Sequence, residues 1–195
     1  MNKKIFNNNI IVLISTSVVV LLLIYFALYS KRAEPEWLPD NLIALFIVFL
    51  FYSLHKKIEV TAVLYPFALL IIILHNLGTF GFYSRRFLGI EWDLVTHLYS
   101  GIILSLITLH YFQKKLNVKT STKITLTILV VMGINAISEI VEVSGTLLFG
   151  SGEGFFQYGY GDTGLFDTQT DLMYGFFGIL MGIGINYLVL RLKRK

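Results

Sequence analysis

Asp93 and His97 lie four residues apart, Asp167 and Asp171 repeat that spacing, and Asn135, Glu139 and Glu142 follow one another at intervals of four and three. On helices each of these sets shares one face. Carboxylates and an imidazole presented by facing helices can exchange protons, or they can hold a hard or borderline divalent cation such as Mg, Mn or Zn. The chain has no Cys. Thiolate sites, disulfides and thiol nucleophiles are therefore excluded, and any metal must be bound through oxygen and nitrogen.

Each residue also has a plainer role. Asp93 and Asp167 open apolar runs, where a carboxylate caps orphan backbone N–H groups and suits the positive end of the helix dipole. A lone His75 or His97 is ordinarily a hydrogen-bonded packing residue. Glu139 and Glu142 resist such readings, because they fall inside an apolar run where an ionised side chain costs at least about 2.5–3.5 kcal/mol. Asp93, Glu139, Glu142, Asp167 and Asp171 at one depth repel one another, so they share protons or surround a cation. In the enzymatic reading Glu139 or His97 is the general base, and Asp93, Glu142, Asp167 and Asp171 are metal ligands. His75, Asn76 and Asn135 then contact substrate, with Arg85 or Arg86 on a phosphate.

Such groups need rigid supports at a common level, and the composition supplies them. Of 195 residues 55% are apolar and only 14% charged, against about a quarter charged in soluble domains. Runs at 10–29, 60–80, 93–112, 123–143 and 169–190 approach or exceed the roughly 20 residues that cross a bilayer. A shorter run at 42–54 spans if Trp37, Leu38, Lys56 and Lys57 occupy the interfaces. The first run is too long for a signal-peptide core and is followed directly by Lys31 and Arg32, so it reads as retained. The expected architecture is an all-α, polytopic membrane bundle of six transmembrane helices forming one domain over 1–195. Peripheral helices occupy about 10–58 and a site-bearing four-helix core about 60–190.

With six spans, twelve of the sixteen Lys and Arg fall on the side of the termini and four (Lys31, Arg32, Arg85, Arg86) on the other. Positive residues stay inside, which predicts cytoplasmic N- and C-termini. Basic residues that flank apolar runs also exclude a nucleic-acid groove. Of twelve acids, Glu59 alone falls on the basic side, so the acidic set faces outward. Small residues at one phase, Gly101 with Ser105 and Gly175, Gly178 with Gly182, are expected to let two helices approach closely. The Gly- and aromatic-rich segment 145–166 reads either as a connector resting at the interface or as a lid over the acidic pocket.

Trp-Asp-Leu-Val-Thr-His at 92–97, Ile-Ser-Glu-Ile-Val-Glu at 137–142 and Asp-Thr-Gln-Thr-Asp-Leu-Met-Tyr-Gly-Phe-Phe-Gly at 167–178 resemble YjdF-type bacterial inner-membrane proteins. The likeness runs from His75 onward and implies an inner-membrane location without an established reaction. The order of acids more loosely resembles VanZ-like proteins, whose founding member is linked to glycopeptide resistance. Those carry Glu-x-x-Gln where this chain has Glu139-x-x-Glu142. Three functions fit: a metal-dependent enzyme acting on a lipid-linked or phosphorylated envelope substrate, a proton- or cation-coupled transporter, or a non-catalytic resistance or immunity factor. The bilayer is the expected partner in all three.

Overall fold

Apolar runs punctuated by small or polar residues every third or fourth position suit helices that bury one narrow stripe and give the remaining surface to lipid. The structure, a computed structural model, describes residues 3–29, 37–83, 85–149 and 165–193, almost all of them helical. The order is α1 (Lys3–Tyr29), α2 (Trp37–Leu54), α3 (Leu64–Leu77), a π-helical turn (Gly78–Phe82), β1 (Arg86–Phe87), β2 (Ile90–Glu91), α4 (Trp92–Lys115), α5 (Thr120–Phe149) and α6 (Leu165–Leu192). By length and composition α1, α4, α5 and α6 can cross a membrane, while α2 and α3 contribute the shorter apolar helices Asn41–Leu54 and Leu64–Leu77. The six expected runs thus separate into four long helices and two short ones. The π-helical turn carries α3 onward to Phe82, close to the expected end of that run.

Helices α1, α2 and α3 close on a shared core that includes Leu23, Val48, Tyr65 and Leu69. The Tyr65 hydroxyl and Thr16 Oγ1 share a 2.8 Å hydrogen bond within it, so the core's one phenol is satisfied. His55, to which the sequence assigned nothing, packs edge-on against the Tyr65 ring at 5.3 Å.

Helix α4 joins this group to α5 and α6. Its contact with α6 is backbone against backbone. A Cβ on Gly178 would stand 2.2 Å from the Leu98 carbonyl oxygen, one on Gly101 2.3 Å from that of Gly175, and one on Gly182 2.6 Å from that of Ile102. Farther along, Gln113 Nε2 donates to Asn186 Oδ1 at 2.9 Å. Residue numbers rise together along the seam, so α4 and α6 run parallel. The close approach expected from the glycine spacing is present.

Helix α5 is the plainest case of a single buried stripe. Thr127, Val131, Asn135 and Glu139 are buried at intervals of four, whereas Leu129, Ile134, Ile137 and Ile140 are exposed. Exposed apolar side chains of this kind along α1, α5 and α6 are what lipid, not water, would cover.

At the opposite end, the α2–α3 turn places Glu59 in the left-handed region (φ 52°). There it accepts from Lys115 Nζ at 2.6 Å and Lys114 Nζ at 3.1 Å. Lys115 first and Lys114 second hold its carboxyl below the usual carboxylate range. Between α3 and α4 lies a small β-hairpin, β1 paired antiparallel with β2. Leu88 (φ 53°) and Gly89 (φ 84°) form its two-residue turn, the pair of positive φ angles that matches the twist of the flanking strands.

Candidate functional site

Because α4 and α6 run parallel and α5 turns back between them, the starts of α4 and α6 meet the later part of α5. Asn135 reaches Gly175, and Glu139 reaches His97. The end of α3 arrives at the same level. Trp92 Nε1 donates to the Leu74 carbonyl at 3.0 Å, and the His75 ring stands edge-on to His97 at 5.9 Å. The expectation that four helices bring polar groups to one depth is met.

His97 sits at the middle of this group. Its Nε2 lies 3.6 Å from Asp93 Oδ2 and 3.7 Å from Glu139 Oε1. Asp171 completes it: one ligand atom from each of Asp93, His97 and Asp171 can be chosen so that all lie within 4.8 Å of one another. Two atoms on one ion with bonds of about 2.2 Å can be at most about 4.4 Å apart, so small side-chain shifts would close the set on a cation. Two carboxylates and an imidazole suit Zn or Mn better than a purely oxygen-seeking ion.

The electrostatics are lopsided. Asp171 is fully buried and Glu139 2% exposed, with His97 at 5%. All four carboxylate oxygens of Asp171 and Glu139 are buried without a hydrogen-bond partner. Thr168 neighbours Glu139, and Asp93 neighbours Asp171. Asp93 and Asp167 bear on both buried acids. The N-terminal ends of α4 and α6 offer partial positive charge, and Thr96 Oγ1 donates to the Asp93 carbonyl at 2.7 Å. His97 is the basic side chain that pairs with Asp93 and Glu139.

A cavity of about 230 Å³ opens beside His97 between α2, α3, α4 and α5. Ile47, Ile72, Leu104 and Ile134 make its walls apolar, while His75, Asn76, Ser100, Asn135 and Ser138 supply polar groups. His75, Asn76 and Asn135 were expected here. Tyr83 fixes His75 through a 3.3 Å hydrogen bond between its hydroxyl and Nδ1. Ser100 and Ser138 were not foreseen. Each follows a named site residue, His97 or Asn135, by three positions, and that spacing was the available signal.

Other expected members fall elsewhere. Arg86 forms an exposed 2.8 Å ion pair with Glu91 across the hairpin, and the Arg85 guanidinium lies 5.2 Å over the Phe82 ring. The structure does not bring either arginine into the acidic group, because each has a partner of its own, Glu91 across the hairpin for Arg86 and the Phe82 ring of the π-helical turn for Arg85. Asp167 acts on the site through charge, but neither it nor Glu142 joins the three-residue ligand set. His97, expected as a base, does join it. Of the segment 145–166, read as a connector or a lid, 145–149 and 165–166 belong to α5 and α6, and the rest lies outside the described residues.

Neither a curated protein nor a solved structure matches the chain. A family model described as a predicted membrane protein, DUF2238, matches residues 11–192, which include every residue of the site. It is the family of the YjdF-type proteins that the 92–97, 137–142 and 167–178 segments resemble. The chain therefore belongs to the DUF2238 family of membrane proteins.

Proposed function

We propose that this protein is a multi-pass enzyme of a bacterial inner membrane. Its outward-facing centre binds a divalent cation through Asp93, His97 and Asp171, and acts as a hydrolase or transferase on a lipid-linked or phosphorylated envelope substrate. The observation that carries this reading is the pair of buried carboxylates, Asp171 and Glu139, which lack hydrogen-bond donors and converge with Asp93 on one imidazole. Buried acids are ordinarily satisfied by donors or by a metal. A divalent ion here would supply Lewis-acid activation of water or of a phosphoryl oxygen.

Glu139 stands outside the ligand triad but within 3.7 Å of His97, which suits a general base that accepts a proton from the attacking hydroxyl group. The apolar-walled cavity beside His97 favours a substrate with a hydrocarbon portion. A transporter needs a path past the site. Beneath it the α4–α6 seam is closed by glycine backbone contacts at Gly101, Gly178 and Gly182, which favours an enzyme.

Protein purified in neutral detergent should carry close to one equivalent of Zn or Mn by elemental analysis. Glu139→Gln should keep the metal and lose the cellular phenotype, while Asp93→Asn should lose both. Native protein that stays metal-free and takes up neither ion on titration would sink the metal reading. The same outcome with a Glu139→Gln phenotype intact would leave a non-catalytic factor of the VanZ-like kind.

With all six helices crossing, the basic-residue asymmetry puts both termini in the cytoplasm. The eighteen residues of α2 span about 27 Å at 1.5 Å each, close to the roughly 30 Å hydrocarbon core. Single cysteines replacing Ser84 and Ser151 should react with an impermeant thiol reagent in intact cells, and one replacing Val118 should not. The reverse labelling pattern would invert the topology.

A further inference from the structure

The end of the bundle farthest from the acids carries a second, larger cavity, of about 1010 Å³. The start of α1, the α2–α3 turn and the ends of α4 and α6 surround it, and it has two kinds of wall. Lys56, Lys114 and Lys193 stand at its polar margin, and Val60, Leu106 and Val189 form apolar surface beneath. Glu59 is the one acid among its lining residues, and two ion pairs, with Lys114 and Lys115, already occupy it. The remaining charge is therefore positive. His110 also lines the cavity, and its Nε2 is buried without a hydrogen-bond partner. The floor is tied across by the Gln113–Asn186 hydrogen bond.

We propose that this cavity is a binding site for an anionic phospholipid, with the headgroup phosphate held among Lys56, Lys193 and His110 and an acyl chain lying along the apolar wall. A free anion would use the lysines alone and leave the apolar wall wet. Zwitterionic lipid would bring a quaternary amine against three lysines. An anionic headgroup joined to a hydrocarbon chain matches both surfaces, as basic pockets between transmembrane helices generally do. The site is separate from the acidic centre and holds whether or not that centre binds metal.

The test uses the purified full chain in neutral detergent, with thermal unfolding followed as lipid is added. Phosphatidylglycerol should raise the melting temperature by roughly 5–10 °C at a hundredfold excess over its dissociation constant. Phosphatidylcholine should leave it within about 1 °C, and glycerol phosphate at the same concentration should do no more. Lys56→Gln combined with Lys193→Gln removes two exposed charges without touching the core, and should abolish most of the phosphatidylglycerol shift while leaving the lipid-free melting temperature unchanged. Equal shifts from the two lipids, an equal shift from glycerol phosphate, or a full shift in the double variant would each overturn the assignment.

Discussion

Asp171→Asn is expected to make the metal-free protein more stable and the metal-loaded protein relatively less so, reversing the order of the two chains as cation is added. The side chain is fully buried, both of its oxygens lack donors, and Asp93, Asp167 and Glu139 all repel its charge. Asparagine has nearly the same shape and no charge to desolvate. Replacing the carboxylate by a neutral amide, whose NH2 can donate to the neighbouring carboxylates, should gain about 1–3 kcal/mol, or a few degrees to about 10 °C in melting temperature for a chain of this size. The native protein should recover the advantage when Zn or Mn is supplied, gaining about 2.7 kcal/mol at a hundredfold excess over the dissociation constant, whereas the variant should barely respond. Thermal unfolding of both chains in chelator and in a metal series measures this directly. If Asp171→Asn is the less stable chain in chelator as well, the carboxylate serves the fold, and the proposed centre loses its main support.

That trade explains why the site could be read from the sequence at all. Glu139 and Asp171 are costly where they stand, and a costly residue in an apolar run is visible without coordinates. The i, i+4 pairs fixed which faces they share, and the apolar runs fixed their common depth, so five of the seven expected acid and histidine positions meet in space. The pairing of helices was legible only where it left a compositional trace, in the glycines of α6 and in Gly101 of α4. The arginines were misplaced for a local reason. A turn with Leu88 and Gly89 at positive φ folds 86–91 back on itself and hands Arg86 to Glu91, and nothing in the residue types there distinguishes that hairpin from an open loop. Roles within the cluster were less legible than membership. Whether His97 offers its nitrogen to a metal or to a proton depends on its distance from Asp171, which lies on a helix more than seventy residues away.

Gly178→Ala should be a severely damaging substitution, because the added methyl group has no room in the α4–α6 seam. A Cβ there would stand 2.2 Å from the Leu98 carbonyl oxygen and 3.1 Å from the Gly101 Cα, and both are helix backbone that cannot rotate away. The helices must separate, at a cost of at least about 1–3 kcal/mol for overpacking. The loss extends to the chemistry, because Asp93 and His97 ride on α4 while Asp171 rides on α6. A shift that opens the seam widens the ligand set, so the variant should lose metal as well as stability. Gly133 and Gly184 are the controls, since a Cβ at either meets nothing within 4 Å. Replacing them with alanine should be neutral or stabilising by up to about 1 kcal/mol through helix propensity alone. Melting temperatures and metal content of the three variants separate the cases. A Gly178→Ala protein as stable as the Gly133→Ala control would mean that α4 and α6 do not touch through their backbones, and the positions of Asp93, His97 and Asp171 relative to one another would no longer stand.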